Sequence, residues 1–308
     1  MLKEFNAAGM KIDMNKLALT EKRNPETVNI DLMDSWQIAR TLNNEDKKVA
    51  LAVEKALPQI GDAIEVIAEA FRKGGRLAYF GAGTSGRLGV LDASECWPTF
   101  GVEHGMVNGF IAGGDRALRF SVENSEDNAD LALADLNAFN PTPDDVVVGI
   151  SANGGPRYVL TVLEEAQKRG CKTVGISSNP EAKLKAFADI FINPVVGEEP
   201  IAGSSRMKSG TAQKMILNML STGAMIRIGK VYENYMIDVR MMNQKLVDRG
   251  ICIVSEIARI PYEKAADYIE ASGHKVKTAC VMAVKQISKI EAEQLLEQNN
   301  GILRKIIS

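Results

Sequence analysis

Residues 76–96 read RLAYFGAGTSGRLGVLDASEC, and the rest of the chain is organised around them. Leu77-Ala78-Tyr79-Phe80 is a short unbroken apolar run, the pattern of a strand buried on both faces of a parallel sheet. Gly81-Ala82-Gly83-Thr84-Ser85-Gly86 follows directly. Glycines there let the backbone approach a ligand, and Thr84 and Ser85 put hydroxyls beside the free N–H groups of a helix start. Strand, glycine-hydroxyl turn and helix together make an anion cradle, and phosphate is the usual anion. Gly83, Thr84, Ser85 and Gly86 are therefore candidate binding residues. Gly81-x-Gly83-x-x-Gly86 also fits the bare dinucleotide pattern, which alone is a weak signal. The stretch closes on Ala93-Ser94-Glu95, where Glu95 is expected to bring a carboxylate back near the cradle.

Strand and helix signals alternate on the C-terminal side of this stretch. Residues 107–112 read as a strand, 126–136 as a helix with Glu126 at its start, and 146–150 as a second continuous apolar strand. The latter runs into Ser151-Ala152-Asn153-Gly154-Gly155-Pro156, another glycine-hydroxyl turn. Residues 159–168 read as a helix, and 173–177 and 190–196 as strands. This rhythm predicts an α/β fold, a parallel sheet flanked by helices on both faces, with ligands at the carboxyl ends of the strands. Gly203-Ser204-Ser205-Arg206-Met207-Lys208 then leads into a long apolar helix, 212–228, whose methionines (Met215, Met219, Met225) suit core or a subunit interface.

Upstream, residues 1–43 read as polar and irregular. Val49, Val53, Leu57, Ile60, Ile64, Ile67 and Phe71 fall at helical spacing over 44–72, with a kink or break expected at Pro58. Beyond about residue 243 only short helices follow, at 244–259, 262–271, 276–286 and 289–298. The expected organisation is an N-terminal arm (1–45), a sugar-phosphate-binding domain (46–242) and a small C-terminal helical bundle (243–308).

The 308 residues suffice for a full core. A formal net charge of -2 gives no case for nucleic acid or an anionic membrane, so any anion site must be local. No apolar run approaches the roughly 18 residues of a membrane span, and no signal-peptide core is read at the N-terminus. The four cysteines, Cys96, Cys171, Cys252 and Cys280, form no CxxC pair, which suits reduced thiols in a cytoplasm. Two histidines, His104 and His274, make a histidine-rich metal centre or a Ser-His-Asp triad improbable.

Ser and Thr favour helix N-caps in any case, so each turn has a structural reading beside the ligand-binding one. Three hydroxyl-bearing turns (Thr84-Ser85, Ser151, Ser204-Ser205) favour the ligand. Ser151, Asn153, Gly154, Ser204 and Ser205 join the candidates, and Lys208 is a candidate positive charge. Glu95 and Glu126 are the acid/base candidates. Cys96 has no histidine partner and reads as a small packed residue.

These residues resemble the N-acetylmuramic acid 6-phosphate etherases of the sugar isomerase (SIS) domain family. The matching pieces are Thr20-Glu21-x-Arg23-Asn24-Pro25, the run 81–96, Ile111-Ala112-Gly113-Gly114, Glu123-x-x-Glu126-Asp127, IAGSSRMKSGTAQK at 201–214, and Leu217-Asn218-Met219-Leu220-Ser221-Thr222-Gly223. Asn243-x-Lys245-Leu246-x-x-Arg249 and Lys277-Thr278-Ala279 carry the likeness into the C-terminal part. The resemblance implies a five-stranded parallel SIS sheet, a helical tail, a homodimer with sites near the subunit interface, and a sugar phosphate as substrate. It implies cleavage of the lactyl ether at C3, with Glu95 matching the acid that protonates lactate and Glu126 the base at C2. No metal or redox cofactor is implied.

One loop departs from the family's Ser-x-Ser-Gly-Arg-Thr-Pro-Tyr. This chain has Ser151-Ala152-Asn153-Gly154-Gly155-Pro156-Arg157-Tyr158, and Pro156 offers neither an N–H nor a hydroxyl. Trp97 also replaces a usual proline. A related lyase or isomerase acting on another 6-phosphosugar is the second reading, and a non-catalytic sugar-phosphate sensor the third. The presence of both glutamates speaks against the sensor, since a binder needs no acid/base pair.

Overall fold

The computed structural model describes residues 18–239, 241 and 243–307; the first 17 residues of the expected arm lie outside them. The first elements of the described residues are short 3-10 turns between Leu19 and Leu32, followed by α1 (Ser35–Glu54) and α2 (Leu57–Arg72). Strands and helices then alternate: β1 (Leu77–Gly81), α3 (Gly83–Phe100), β2 (Val107–Ile111), α4 (Asp115–Arg119), α5 (Ala129–Phe139), β3 (Val146–Ile150), α6 (Arg157–Lys168), β4 (Lys172–Ile176) and β5 (Ile190–Ile192). After α7 (Lys208–Arg227) comes a small hairpin, β6 (Val231–Tyr232) and β7 (Tyr235–Met236). The chain ends in α8 (Gln244–Ala258), α9 (Tyr262–Ala271), α10 (Val276–Lys285), α11 (Lys289–Gln298) and α12 (Arg304–Ile307).

The five-stranded sheet is parallel throughout, in the order β2-β1-β3-β4-β5. Alternate side chains leave its two faces, as the pleat requires. Leu77, Tyr79, Val146, Val148 and Ile150 enter a core shared with α1, α2, α3 and α7. Ala78, Phe80 and Val147 enter the opposite core, under α5 and α6. The chain runs from β1 outward to β2 and from β3 outward to β4 and β5. The reversal falls between the adjacent strands β1 and β3, and a crevice opens at their carboxyl ends, where such folds bind ligands.

Several elements depart from the sequence reading. α1 starts at Ser35, nine residues before the expected helix, because Asp34 and Gln37 form a capping box. Its first turns are mostly solvent-facing, with Ile38 and Leu42 only half-buried. The break falls at Lys55–Ala56, and Pro58 sits in the first turn of α2, where its missing N–H costs no hydrogen bond. α5 starts at Ala129, capped by Asn128, so Glu126 lies in the preceding turn and not on the helix. β5 ends at Ile192, four residues short of the expected strand.

The C-terminal helices bury their own core, which draws in Ile237 and Val239 from upstream of residue 243. Asp238 joins Lys230 (3.0 Å) to Lys277 (2.8 Å) and so ties that unit to the end of α7.

Candidate active site

The turn after β1 leads into α3 without a side-chain cap: Ala82 is extended, and nothing in its side chain can accept from the helix's first N–H groups. Those donors face a cavity of about 150 Å³ lined by Gly83, Thr84, Ser85, Glu126, Ser151, Asn153, Pro156 and Ser205, among others. An uncapped helix start with hydroxyls beside it suits a phosphate. Gly86 makes the close approach of α3 to the sheet feasible, since a Cβ there would lie 2.6 Å from Gly81 O and 2.6 Å from Ile111 Cγ1.

Ser85 Oγ is 2.9 Å from Gln213 Oε1 on α7, while Gln213 Nε2, just as buried, has no partner among the described residues. Turning the amide over gives Nε2 an acceptor in Ser85 Oγ and leaves the serine proton for a ligand. The second glycine-hydroxyl turn uses its own donors. Gly154 N–H donates to Ser151 Oγ (3.0 Å) and Gly155 N–H to Asn153 Oδ1 (3.1 Å). Gly154 adopts φ +72°, and a Cβ there would meet Ala182 Cβ at 2.3 Å. With Pro156 contributing no donor, the first turn and Ser205 are left as the richer donor set.

Ser205 reaches the cavity because the loop before it is clamped. Gly203 N–H donates to Thr20 O (2.8 Å), and Thr27 Oγ1 to Pro200 O (2.7 Å). Asn24 Nδ2 donates to Glu45 (2.9 Å) and to Glu198 O (3.2 Å). The Thr20–Pro25 motif is thus a strap across residues 198–203. Ser204 lies next to Ser205 but does not line the cavity.

Lys208, expected to supply charge to the phosphate, is committed elsewhere. Its side chain and that of Glu45 are each 2% exposed, and Nζ sits 2.7 Å from Glu45 Oε2. Burial raises the Glu45 pKa, but hydrogen bonds from Lys208, Lys48 and Asn24 outweigh it and hold the carboxyl at about 2. The N-terminus of α7 is likewise taken: Glu199 accepts from the N–H groups of Lys208 (2.8 Å) and Ser209 (2.9 Å). Sequence reading missed Glu45, Glu199 and Gln213, for nothing in their local pattern signals a buried partner.

Glu126 lines the cavity, but Glu95 does not. Glu95 lies 12 residues along α3 from Gly83, a rise of roughly 18 Å at 1.5 Å per residue. The expectation that it returns to the cradle of its own chain therefore fails on helix geometry. Glu95 is exposed, and Leu91, one turn away on the same face, is 51% exposed. Cys96 is packed: its thiol bonds Asp92 O (3.3 Å), and burial and the nearby Asp92 push its pKa up to about 12. Trp97 stacks on His104 with ring centroids 4.6 Å apart.

Family models match the chain at two places: "Glucokinase regulatory protein N-terminal SIS domain" over residues 59–167 and "SIS domain" over 126–223. The N-acetylmuramic acid 6-phosphate etherase of Glaesserella parasuis is 53% identical over 283 residues, covering 92% of this chain and 93% of that one. The chain belongs to that etherase family. The etherase of Photorhabdus laumondii is 51% identical over 300 residues, covering 97% and 99%. A phosphoheptose isomerase structure from Francisella tularensis superposes with a TM-score of 0.49 at 19% identity, over 62% of this chain and 98% of that one. The open start of α3 and its cavity lie at the β1/β3 crevice of the parallel sheet.

Proposed function

We infer that the chain cleaves the D-lactyl ether of N-acetylmuramic acid 6-phosphate, giving N-acetylglucosamine 6-phosphate and D-lactate with net uptake of water. The observation that carries this is 53% identity to a named etherase over nearly the whole of both chains. This is a carbon–oxygen lyase reaction of amino-sugar catabolism and cell-wall recycling. In the proposed sequence the phosphate binds at Gly83, Thr84, Ser85, Ser151 and Ser205, while Gly86, which does not line the cavity, lets α3 approach the sheet and Asn153 and Gly154 shape the loop. Glu126 takes the C2 proton of the ring-opened aldehyde. The C3–O bond then breaks to an alkene, and Glu95, as the acid, gives the departing lactate oxygen its proton. Water adds its oxygen at C3 and a proton at C2. Two carboxylates suffice, because one group must accept a proton and one must donate it. The phosphate is remote from C3, so its binding energy can hold the reacting carbons in place.

The helix rise puts Glu95 out of reach of its own cradle, which favours a homodimer in which the partner's α3 supplies the acid. The half-exposed Leu91 beside it suits an interface. A cytoplasmic location fits the unpaired cysteines, and no helix among the described residues is long and apolar enough to cross a membrane.

The test is D-lactate release from N-acetylmuramic acid 6-phosphate, followed together with exchange of the C2 hydrogen in deuterated water. Glu95→Ala is expected to exchange at C2 but release little lactate, and Glu126→Ala to do neither. Each loss of lactate release should be on the order of 100- to 10,000-fold. The opposite exchange pattern reverses the roles, and lactate release at the parent rate in both variants removes the glutamates from the chemistry.

A further inference from the structure

The crevice has a second chamber of about 310 Å³, which shares Ala82, Gly83 and Glu126 with the phosphate cavity. Its far side is formed by Arg87 on α3, Phe120, and the turn from Ser121 to Ser125. Arg87 is the only basic residue among those that line it. Its Nε donates to Leu118 O at 3.1 Å, which fixes the plane of the guanidinium. Among the described residues its two terminal amino groups have no acceptor, and neither Glu123 nor Glu126 of the same chamber pairs with it. A guanidinium tethered at one edge and open along its fork is pre-organised for a planar oxyanion.

We propose that Arg87 binds the lactyl carboxylate of the substrate and so selects an ether-bearing sugar phosphate over one without the lactyl group. The assignment rests on the etherase reading, which gives the substrate two anions on either side of the reacting carbons: the phosphate on C6 and the carboxylate of the lactyl group on C3. Glu126 stands on the wall common to both chambers, between the two anion positions, which is where C2 and C3 must lie if it is to take the C2 proton. Held at both ends, the chain of carbons presents C2–H to Glu126 in one orientation. The chamber also contains Glu123 and Glu126, so an incoming carboxylate meets two like charges, and the Arg87 cation offsets that repulsion.

The product N-acetylglucosamine 6-phosphate keeps the phosphate and lacks the carboxylate, which makes it the internal control. Arg87→Met is expected to raise KM for N-acetylmuramic acid 6-phosphate by about 10- to 100-fold, the loss typical of a charge-assisted bidentate contact. Calorimetric affinity for N-acetylglucosamine 6-phosphate should stay within about twofold of the parent, with Arg87→Lys intermediate for the substrate alone. Methyl esterification of the lactyl carboxylate should weaken binding to the parent chain by a similar factor and to Arg87→Met hardly at all. Equal losses for substrate and product, or an ester penalty that persists in Arg87→Met, overturn the assignment. If Arg87→Met does not fold, Arg87→Lys carries the same comparison. A parent chain that binds both sugars but releases no D-lactate defeats the etherase reading, while the acid-versus-ester comparison still decides the role of Arg87.

Discussion

At the scale of single residues, the Glu45–Lys208 pair shows how far charge alone misleads. A lysine in a glycine-serine loop beside a phosphate cradle reads as a phosphate ligand, yet this one is buried against a carboxylate brought from α1, 163 positions away in sequence. Removing one partner of a buried pair leaves the other charge uncompensated, so Glu45→Gln and Lys208→Met should each lower stability by about 3–5 kcal/mol in denaturant melts. The sign of the pH effect follows from the lowered pKa of Glu45. Its contribution is present above the unfolded value of 4.5 and is lost as pH falls through about 2. Parent melts should weaken over that window, and Glu45→Gln should lose this part of the acid sensitivity. Around the phosphate, Ser85→Ala and Ser205→Ala should each weaken binding by about 1–3 kcal/mol, as for a hydrogen bond to a charged group. Ser204→Ala should do less, since Ser204 does not line the cavity; titration with the sugar phosphate reads the difference.

At the scale of elements, the start of α3 is decided by contact with the strands beneath it. Gly86 sits where any side chain would press on Gly81 O and on Ile111. Gly86→Ala must therefore shift α3 or β2, and overpacking of this kind typically costs about 1–3 kcal/mol. Because the same shift moves Thr84 and Ser85, thermal stability and phosphate affinity should fall together. A variant with parent melting temperature and parent affinity would show that the helix start tolerates displacement. The contrast with α7 is instructive: its first N–H groups are closed by Glu199, whereas those of α3 are left to the cavity. Two helices with similar glycine-hydroxyl approaches thus start differently, one closed by a carboxylate and one open to a cavity.

At the scale of the whole molecule, the proposed mechanism needs a second chain to supply Glu95. Mixing inactive Glu95→Ala and Glu126→Ala chains should then restore activity. One of the two sites in each mixed dimer would pair an intact Glu126 with an intact Glu95, so random assortment predicts about a quarter of the parent rate. Lactate assays of the unfolded and refolded mixture check this, and no recovery would place both glutamates in one chain's site. Gel filtration should show the dimer by itself.

Much of this was legible in the sequence. Apolar runs such as Val146–Ile150 and the glycine-hydroxyl turns after them are local signals, because a buried parallel strand needs continuous apolar residues and a cradle needs backbone freedom at fixed offsets. They determined the α/β class, the glycine-hydroxyl turn that opens α3 and the helical C-terminal part. Other features depend on partners distant along the chain. Lys208 meets Glu45, Ser85 meets Gln213, and Asn24 meets Glu198 O, and no periodicity records a contact across 128 to 174 positions. The position of Glu95 was decided by helix rise: adjacency in the motif run became roughly 18 Å of separation once α3 formed. Sequence determines which groups are available for chemistry, and tertiary structure decides which of them face the crevice, because only packing settles which charges are neutralised inside the protein.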